Sequence, residues 1–243
     1  MNRSFCLAAV LLAEHPHIPI MVGSNFPILN HQKLVNFKEF RFRESPVYAE
    51  LPIDENPVYN EPVAVKNAVF SKVPTEPLTG KLHLVCASED CLTNILNLDL
   101  ACAETEEFID FIAGKYLPDG GLTVCHRYGG HQFGFWADQL GDGRAHILGE
   151  YVNRKGESWQ PQLKGSGETP YSRFGDGRAV LRSSIREMIA SEACHHLGVP
   201  TTRAAALVGK ASRLQGVCET PYSLRGRSRG APLIHQGDDS FGS

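Results

Sequence analysis

The sequence predicts an α+β protein in which antiparallel strands pack with a few helices. Three observations carry that reading. Ala145–Lys164 reads as strand, hairpin turn and return strand; a capped helix runs from about Gly177 to Leu197; and a glycine-dense stretch begins at Cys125. The chain has 243 residues, 42% hydrophobic and 21% charged, the composition of an ordinary globular protein of one or two domains. Its 24 Lys+Arg face 27 Asp+Glu, a net charge of -3. Nucleic-acid binders need a clustered positive surface, so no nucleic-acid partner is expected. No apolar run approaches the ~20 residues of a membrane-spanning helix, so no membrane span is expected either.

Residues 1–35 read as a leader or disordered extension. Arg3 precedes the apolar stretch from Phe5 to Ala13, which has the length of a signal-peptide core. Glu14 is the only acid in this segment, which suits an organellar transit peptide, although Arg and Ser are sparse. The seven cysteines are scattered and form no C-x-x-C pair. That pattern fits free thiols in a reducing compartment better than a disulfide framework or a structural zinc site.

Residues 36–124 form an extended and helical region. Pro46, Pro52, Pro57, Pro62 and Pro74 read as extended chain wrapped over a surface. Ala64–Val73 is expected to hold a short edge strand or turn, and Leu82–Val85 a strand. Ser88 offers an N-cap for a short helix ending near Leu98. Thr105 starts a second helix with Phe108, Ile109, Phe111 and Ile112 on its apolar face, and Pro118–Gly121 closes it in a turn.

Residues 125–208 carry the chemistry. Glycines at 129, 130, 134, 141, 143 and 149 suggest backbone that must come close to something. Ala145–Val152 reads as a strand, Asn153–Gly156 as a hairpin turn and Trp159–Lys164 as the return strand. Period-2 alternation puts Trp159, Pro161 and Leu163 on one face, and Lys164 on the other. In the following helix Asp176 is a plausible N-cap, Gly198 sits at the C-cap and Pro200 follows. Ile185, Met188, Ile189 and Leu197 supply its large apolar groups. Glu187 falls on a face of small residues, where a carboxylate could approach another layer.

Gly141-Asp-Gly143-Arg144 can present backbone N–H groups to a phosphate, because glycine has no Cβ in the way. Lys164 adds a point charge, and Glu187 can hold it by an ion pair. Each residue also has a plainer use: a tight turn, a solvated strand lysine, an exposed helix charge. In this order they resemble the N-lobe of a protein kinase, where a glycine-rich loop covers phosphates and a helix Glu holds a strand Lys. His126, His131, His195 and His196 do not make a metal site. His195 and His196 point ~100° apart on a helix, and His131 is expected to hydrogen-bond within the glycine-rich segment. The sequence contains no H-E-x-x-H.

Three long strings carry a more specific resemblance: Tyr128–Arg144, Gln162–Arg173, and Asp176–Glu187 continued through Pro200–Arg203. They identify the chain as similar to the selenoprotein O family from about Asn36 to Val208. The resemblance implies an incomplete protein-kinase-like N-lobe of antiparallel strands plus a C-helix equivalent. It also implies a protein adenylyltransferase that places AMP from ATP, bound inverted relative to kinases, on Ser, Thr or Tyr hydroxyls of protein substrates. Gly141, Gly143 and Arg144 then belong to the nucleotide loop. Lys164 contacts phosphate, Asp176 and Gly177 are further nucleotide contacts, and Glu187 is the partner of Lys164. The family uses Mg²⁺, but its metal ligands and catalytic Asp lie in later segments with no counterpart here. No catalytic residue or metal ligand is therefore assigned in this chain. Gly209–Ser243 reads as a divergent, disordered tail, so the chain resembles a truncated product expected to be inactive alone. The alternatives are a kinase-type phosphotransferase or a non-catalytic nucleotide-sensing or partner-binding fragment. The resemblance favours mitochondria, with the cytoplasm as the alternative.

Overall fold

The computed structural model describes the backbone of residues 7–14 and, in full, residues 36–59 and 64–210. It is a mixed α+β structure built around one sheet of ten strands. The path runs β2 (Ile53–Asp54), β3 (Phe70–Lys72), β5 (Val124–Gln132), β7 (Ala145–Ile147), β9 (Ser158–Lys164), β1 (Leu7–Glu14), β10 (Arg203–Lys210), β4 (Leu82–Ala87). Strand β6 (Phe135–Gly141) pairs with β5, and β8 (Tyr151–Val152) pairs with β9. The β2–β3 pairing is parallel and the others are antiparallel.

One face of the sheet is covered by aromatic and aliphatic groups from the region before Cys125. Phe37 and Phe40 stack at 5.2 Å between ring centroids, and both meet Phe111 of α2 (Glu106–Ile112), the helix that follows the short α1 (Pro46–Glu50). Leu92, Leu96, Leu148, Trp159 and Leu163 complete this core. Thr105 caps α2 through its hydroxyl, which accepts the Phe108 N–H. The helix expected after Ser88 is shorter than predicted: a π-helical turn, Cys91–Ile95. The opposite face receives α3 (Leu181–His196), whose Leu181, Ile185 and Met188 pack with Ala179 and Leu207. Covered on both sides, β10 is buried from Arg203 to Gly209.

Alternation in β9 is as predicted: Trp159, Pro161 and Leu163 are buried, and Lys164 faces the other way. The strand expected over Ala145–Val152 is split, because Gly149 adopts φ 125 between β7 and β8. Helix α3 begins later than expected. Val180, not Asp176, is its N-cap, and Asp176 instead accepts the Arg178 N–H at 3.0 Å in a turn before the helix. Gly198 does take the left-handed conformation, φ 78, that ends helices. Ile189 and Leu197 point outward, 65% and 80% exposed, so the helix buries small groups, Ser184 and Ser191, more than its largest ones.

Leu7–Glu14 lies within the segment read as a leader or disordered extension. In the structure it is β1, antiparallel to both β9 and β10. Gly209 and Lys210, read as the start of the tail, close β10. The remaining expectations for residues 1–6, 15–35 and 211–243 fall outside the described residues. No helix among the described residues is long and apolar enough to cross a membrane.

Candidate functional site

The Gly141–Arg144 turn joins β6 to β7 and is held from several sides. The Asp142 N–H donates to the His126 carbonyl at 2.9 Å, and the Gly165 N–H to the Arg144 carbonyl at 2.7 Å. The Thr169 hydroxyl donates to the Asp142 carbonyl and the Ser172 hydroxyl to the Gly143 carbonyl, both at 2.6 Å. This loop lies so close that a Cβ on Gly141 would sit 2.2 Å from the Tyr171 ring, and one on Gly143 would sit 2.8 Å from the Tyr171 carbonyl oxygen. The sequence reading gave these glycines to phosphate access. Their missing Cβ atoms make room for protein instead.

Lys164, at the end of β9, and Glu187, in the second turn of α3, meet across the sheet–helix layer. Lys164 Nζ lies 2.8 Å from Glu187 Oε2. Arg144 Nη2 lies 3.3 Å from the other oxygen, Oε1. One carboxylate is thus shared by two cations, and all three side chains are about one-third exposed. Charges so placed stay accessible to a ligand while being held in position.

Asp176 and Gly177 reach the same place by a different route from the helix start predicted for them. Gly177 has φ 63, and a Cβ there would lie 2.0 Å from the Gly167 carbonyl carbon and oxygen. Its carbonyl accepts the Gly167 N–H, and Ser166 bridges to Arg178. The 165–178 loop therefore folds back on itself before α3 begins, which removes the expected role of Asp176 as helix cap.

These elements enclose an open cleft of about 480 Å³. Gly141, Gly143, Arg144 and Lys164 line it, together with Asp176 and Gly177. Glu187 stands behind, bonded to two of the lining cations. All seven residues singled out from the sequence are brought together.

The cleft also holds groups the sequence reading did not assign. Asp142 is half-buried in its wall, and its Oδ2 accepts from the His126 N–H at 3.0 Å and from Gln162 Nε2 at 3.3 Å. Burial pushes the Asp142 carboxyl above its usual value, opposed by the His126 N–H and by the His126 and Lys164 charges. Gln162 stands two residues before Lys164 on one face of β9, so strand alternation already pointed to it. Arg178 lines the cleft and is tied to Glu76, with Nη2 3.0 Å from Oε2 and Nη1 2.7 Å from the carbonyl oxygen. Nothing in its spacing marked it.

Beneath the cleft, His146 is fully buried with Nδ1 2.7 Å from the Ser166 hydroxyl. Burial, aided by the Arg178 charge, lowers its pKa to about 4, so it is neutral at pH 7. His131 and Trp136 meet edge to face with ring centroids 5.3 Å apart, a ring contact where a hydrogen bond was expected. No group of three or more His, Cys, Asp or Glu side chains among the described residues could hold a metal ion. The cleft itself offers two carboxylates, Asp142 and Asp176.

A second ionic cluster fixes α3 from its far side. Arg203, 4% exposed at its side chain, lies 2.7 Å from Asp90 and 2.8 Å from Glu192. Burial alone would raise the Glu192 pKa. Hydrogen bonds from Arg203, Ser88 and the Ala204 N–H outweigh it and hold the value at about 2. Because Glu192 and Glu187 share α3, this cluster sets where Glu187 can reach.

The family model described as "Protein adenylyltransferase SelO" matches residues 55–224. The match starts after Asn36 and continues past Val208, where the sequence reading had ended the resemblance. The chain is 49% identical over 156 residues to "Protein nucleotidyltransferase YdiU" of Bordetella avium, covering 64% of this chain and 31% of that protein. It is 50% identical over 166 residues to the protein of that name from Azoarcus sp., covering 68% and 31%. With that of Thiobacillus denitrificans it shares 56% identity over 127 residues, covering 52% and 26%. The chain spans under a third of the length of these relatives. It belongs to the SelO/YdiU family of protein nucleotidyltransferases.

Proposed function

We propose that the cleft binds the polyphosphate of ATP, and that the chain is the nucleotide-binding part of a protein adenylyltransferase. The observation that carries this reading is the Lys164–Glu187 ion pair at 2.8 Å on the cleft wall, with Arg144 on the same carboxylate. A strand lysine held by a helix glutamate is how kinase-like folds present a cation to phosphates. On this reading the sheet with α3 is an incomplete kinase-like N-lobe, and α3 is the C-helix equivalent. Gly141, Gly143, Asp176 and Gly177 shape the cleft, while Arg144 and Lys164 supply its charge-assisted donors.

The reaction is attack of a Ser, Thr or Tyr hydroxyl oxygen of a protein substrate on the α-phosphorus of ATP. A P–O bond to AMP forms, the bond to the β-phosphate oxygen breaks, pyrophosphate leaves, and the hydroxyl proton passes to a base. Arg144 and Lys164 bind and orient the polyphosphate, and Glu187 keeps Lys164 in place. No described residue is assigned as the base. The chain by itself is accordingly proposed to bind ATP and to transfer little AMP.

A Lys–Glu pair serves phosphotransfer equally well, so the test is which phosphate moves. A full-length relative is incubated with a protein acceptor and ATP labelled at the α- or γ-phosphate. Label from the α-position alone is expected on the acceptor. Transfer of only the γ-label would replace this reading with a kinase. The same assay on the 243-residue chain is expected to show little labelling.

A further inference from the structure

Asp142 places a carboxylate where a polyphosphate site should avoid one. It lines the same cleft as Arg144 and Lys164, and a negative group there repels phosphate. It is nevertheless fixed in place. The His126 N–H and Gln162 Nε2 both bond to Oδ2, the Asp142 N–H donates to the His126 carbonyl, and the Asp142 carbonyl accepts from Thr169. Oδ1 takes no hydrogen bond from any described residue. The carboxylate is thus oriented by one oxygen and leaves the other for something in the cleft that donates.

In a nucleoside triphosphate the donors are the sugar hydroxyls and, in adenine, the exocyclic amine. Asp142 sits two residues from Arg144, and its bonding partner Gln162 sits two residues from Lys164 on one strand face. The part of the nucleotide next to the phosphates is the sugar, with the base farther away. Fixed carboxylates bind ribose hydroxyls in other nucleotide folds for the same reason. We propose that Asp142 is a specificity-determining residue, whose free oxygen accepts a hydrogen bond from a ribose hydroxyl of the bound nucleotide. This rests on the cleft's reading as an ATP site. It adds that the site distinguishes a nucleotide by its sugar as well as by its charge.

The test is calorimetric binding of ATP, 2′,3′-dideoxy-ATP and ITP to the 243-residue chain and to its Asp142→Asn and Gln162→Ala variants. A hydrogen bond to a charged acceptor corresponds to roughly tenfold or more in affinity. The unaltered chain is expected to bind ATP and ITP alike and dideoxy-ATP about tenfold more weakly. In Asp142→Asn the difference between ATP and dideoxy-ATP shrinks, and in Gln162→Ala, which frees the carboxylate to turn, it shrinks in part. Equal binding of ATP and dideoxy-ATP by the unaltered chain overturns the assignment and leaves the ATP site standing. So does a contrast that survives intact in both variants. A loss with ITP in place of dideoxy-ATP gives the carboxylate to the base and also overturns it. No binding of ATP removes the site itself, and this role with it. If Asp142→Asn does not fold, the ligand contrast in the unaltered chain and its change in Gln162→Ala decide the matter.

Discussion

Tyr171 lies against Gly141 so closely that the ring occupies the space a β-carbon would need, 2.2 Å from its ideal position. The wall of the cleft is therefore a packed contact between two loops. Gly141→Ala should force the 169–175 loop away, at about 1–3 kcal/mol of stability as an overpacked site, and should weaken ATP binding. The double change Gly141→Ala/Tyr171→Ala should regain part of the ATP affinity by reopening the space. Denaturant midpoints and calorimetric titration would show both effects. A Gly141→Ala chain as stable as the parent would contradict the contact.

Lys164 and Glu187 should be unequal in their effect on ligand. Lys164→Ala removes a donor to phosphate and is expected to lower ATP affinity about tenfold or more. Glu187→Gln keeps both cations and removes only what positions them, so its loss should be smaller. Titrating each variant with ATP orders the two. A larger loss in Glu187→Gln would mean that positioning outweighs contact.

Arg203 is the buried central cation of a cluster with the partly exposed Asp90 and the half-buried Glu192. Arg203→Ala should leave Glu192 unpaired among groups packed for a charge, costing about 3–5 kcal/mol. Glu192→Gln, which keeps a hydrogen-bonding side chain beside Arg203, should cost less. Urea unfolding of the two variants provides the comparison.

Stability should fall with acid in two stages. His146 has a folded pKa of about 4 against an ordinary 6.5, so the unfolded chain binds more protons between those limits. Stability is lost as pH falls from about 6.5 toward 4 and regained as it rises. Glu192, held at about 2 against 4.5, adds stability that is full above 4.5 and lost as pH falls toward 2. Denaturant midpoints between pH 3 and pH 8 should show the upper stage. His146→Gln should flatten it while leaving the lower stage in place.

Much of the site was legible because it depends on short-range periodicity. Alternation along β9 oriented Lys164, and the small-residue face of α3 turned Glu187 inward. The β5–β6 hairpin was not legible. Its turn, Phe133-Gly134, has φ 53 and 83, a conformation usually marked by Asn-Gly or Asp-Gly. Gly129 and Gly130 also dilute the strand pattern before it. The start of α3 was misread because Asp176 looks like a cap in sequence. The Gly167–Gly177 bond and the Ser166–Arg178 bridge, both set by tertiary contact, carry the chain past it. In Leu7–Glu14 an apolar run has the same appearance as leader core or central strand, and only partners far along the chain distinguish them.

Those distant partners bear on how the protein is made. Leu7 pairs with Gly209, and Ala9 with both Leu207 and Lys164. The first of the described strands thus has its neighbours among the last of them. At ordinary rates of synthesis, β1 must wait some tens of seconds for β10 to emerge. Until then the edge of β1 that meets β10 has no cover, and bare strand edges invite pairing with other chains. The yield of folded chain should therefore respond to chaperones that hold extended apolar segments, and more to them than to the stability of the finished fold.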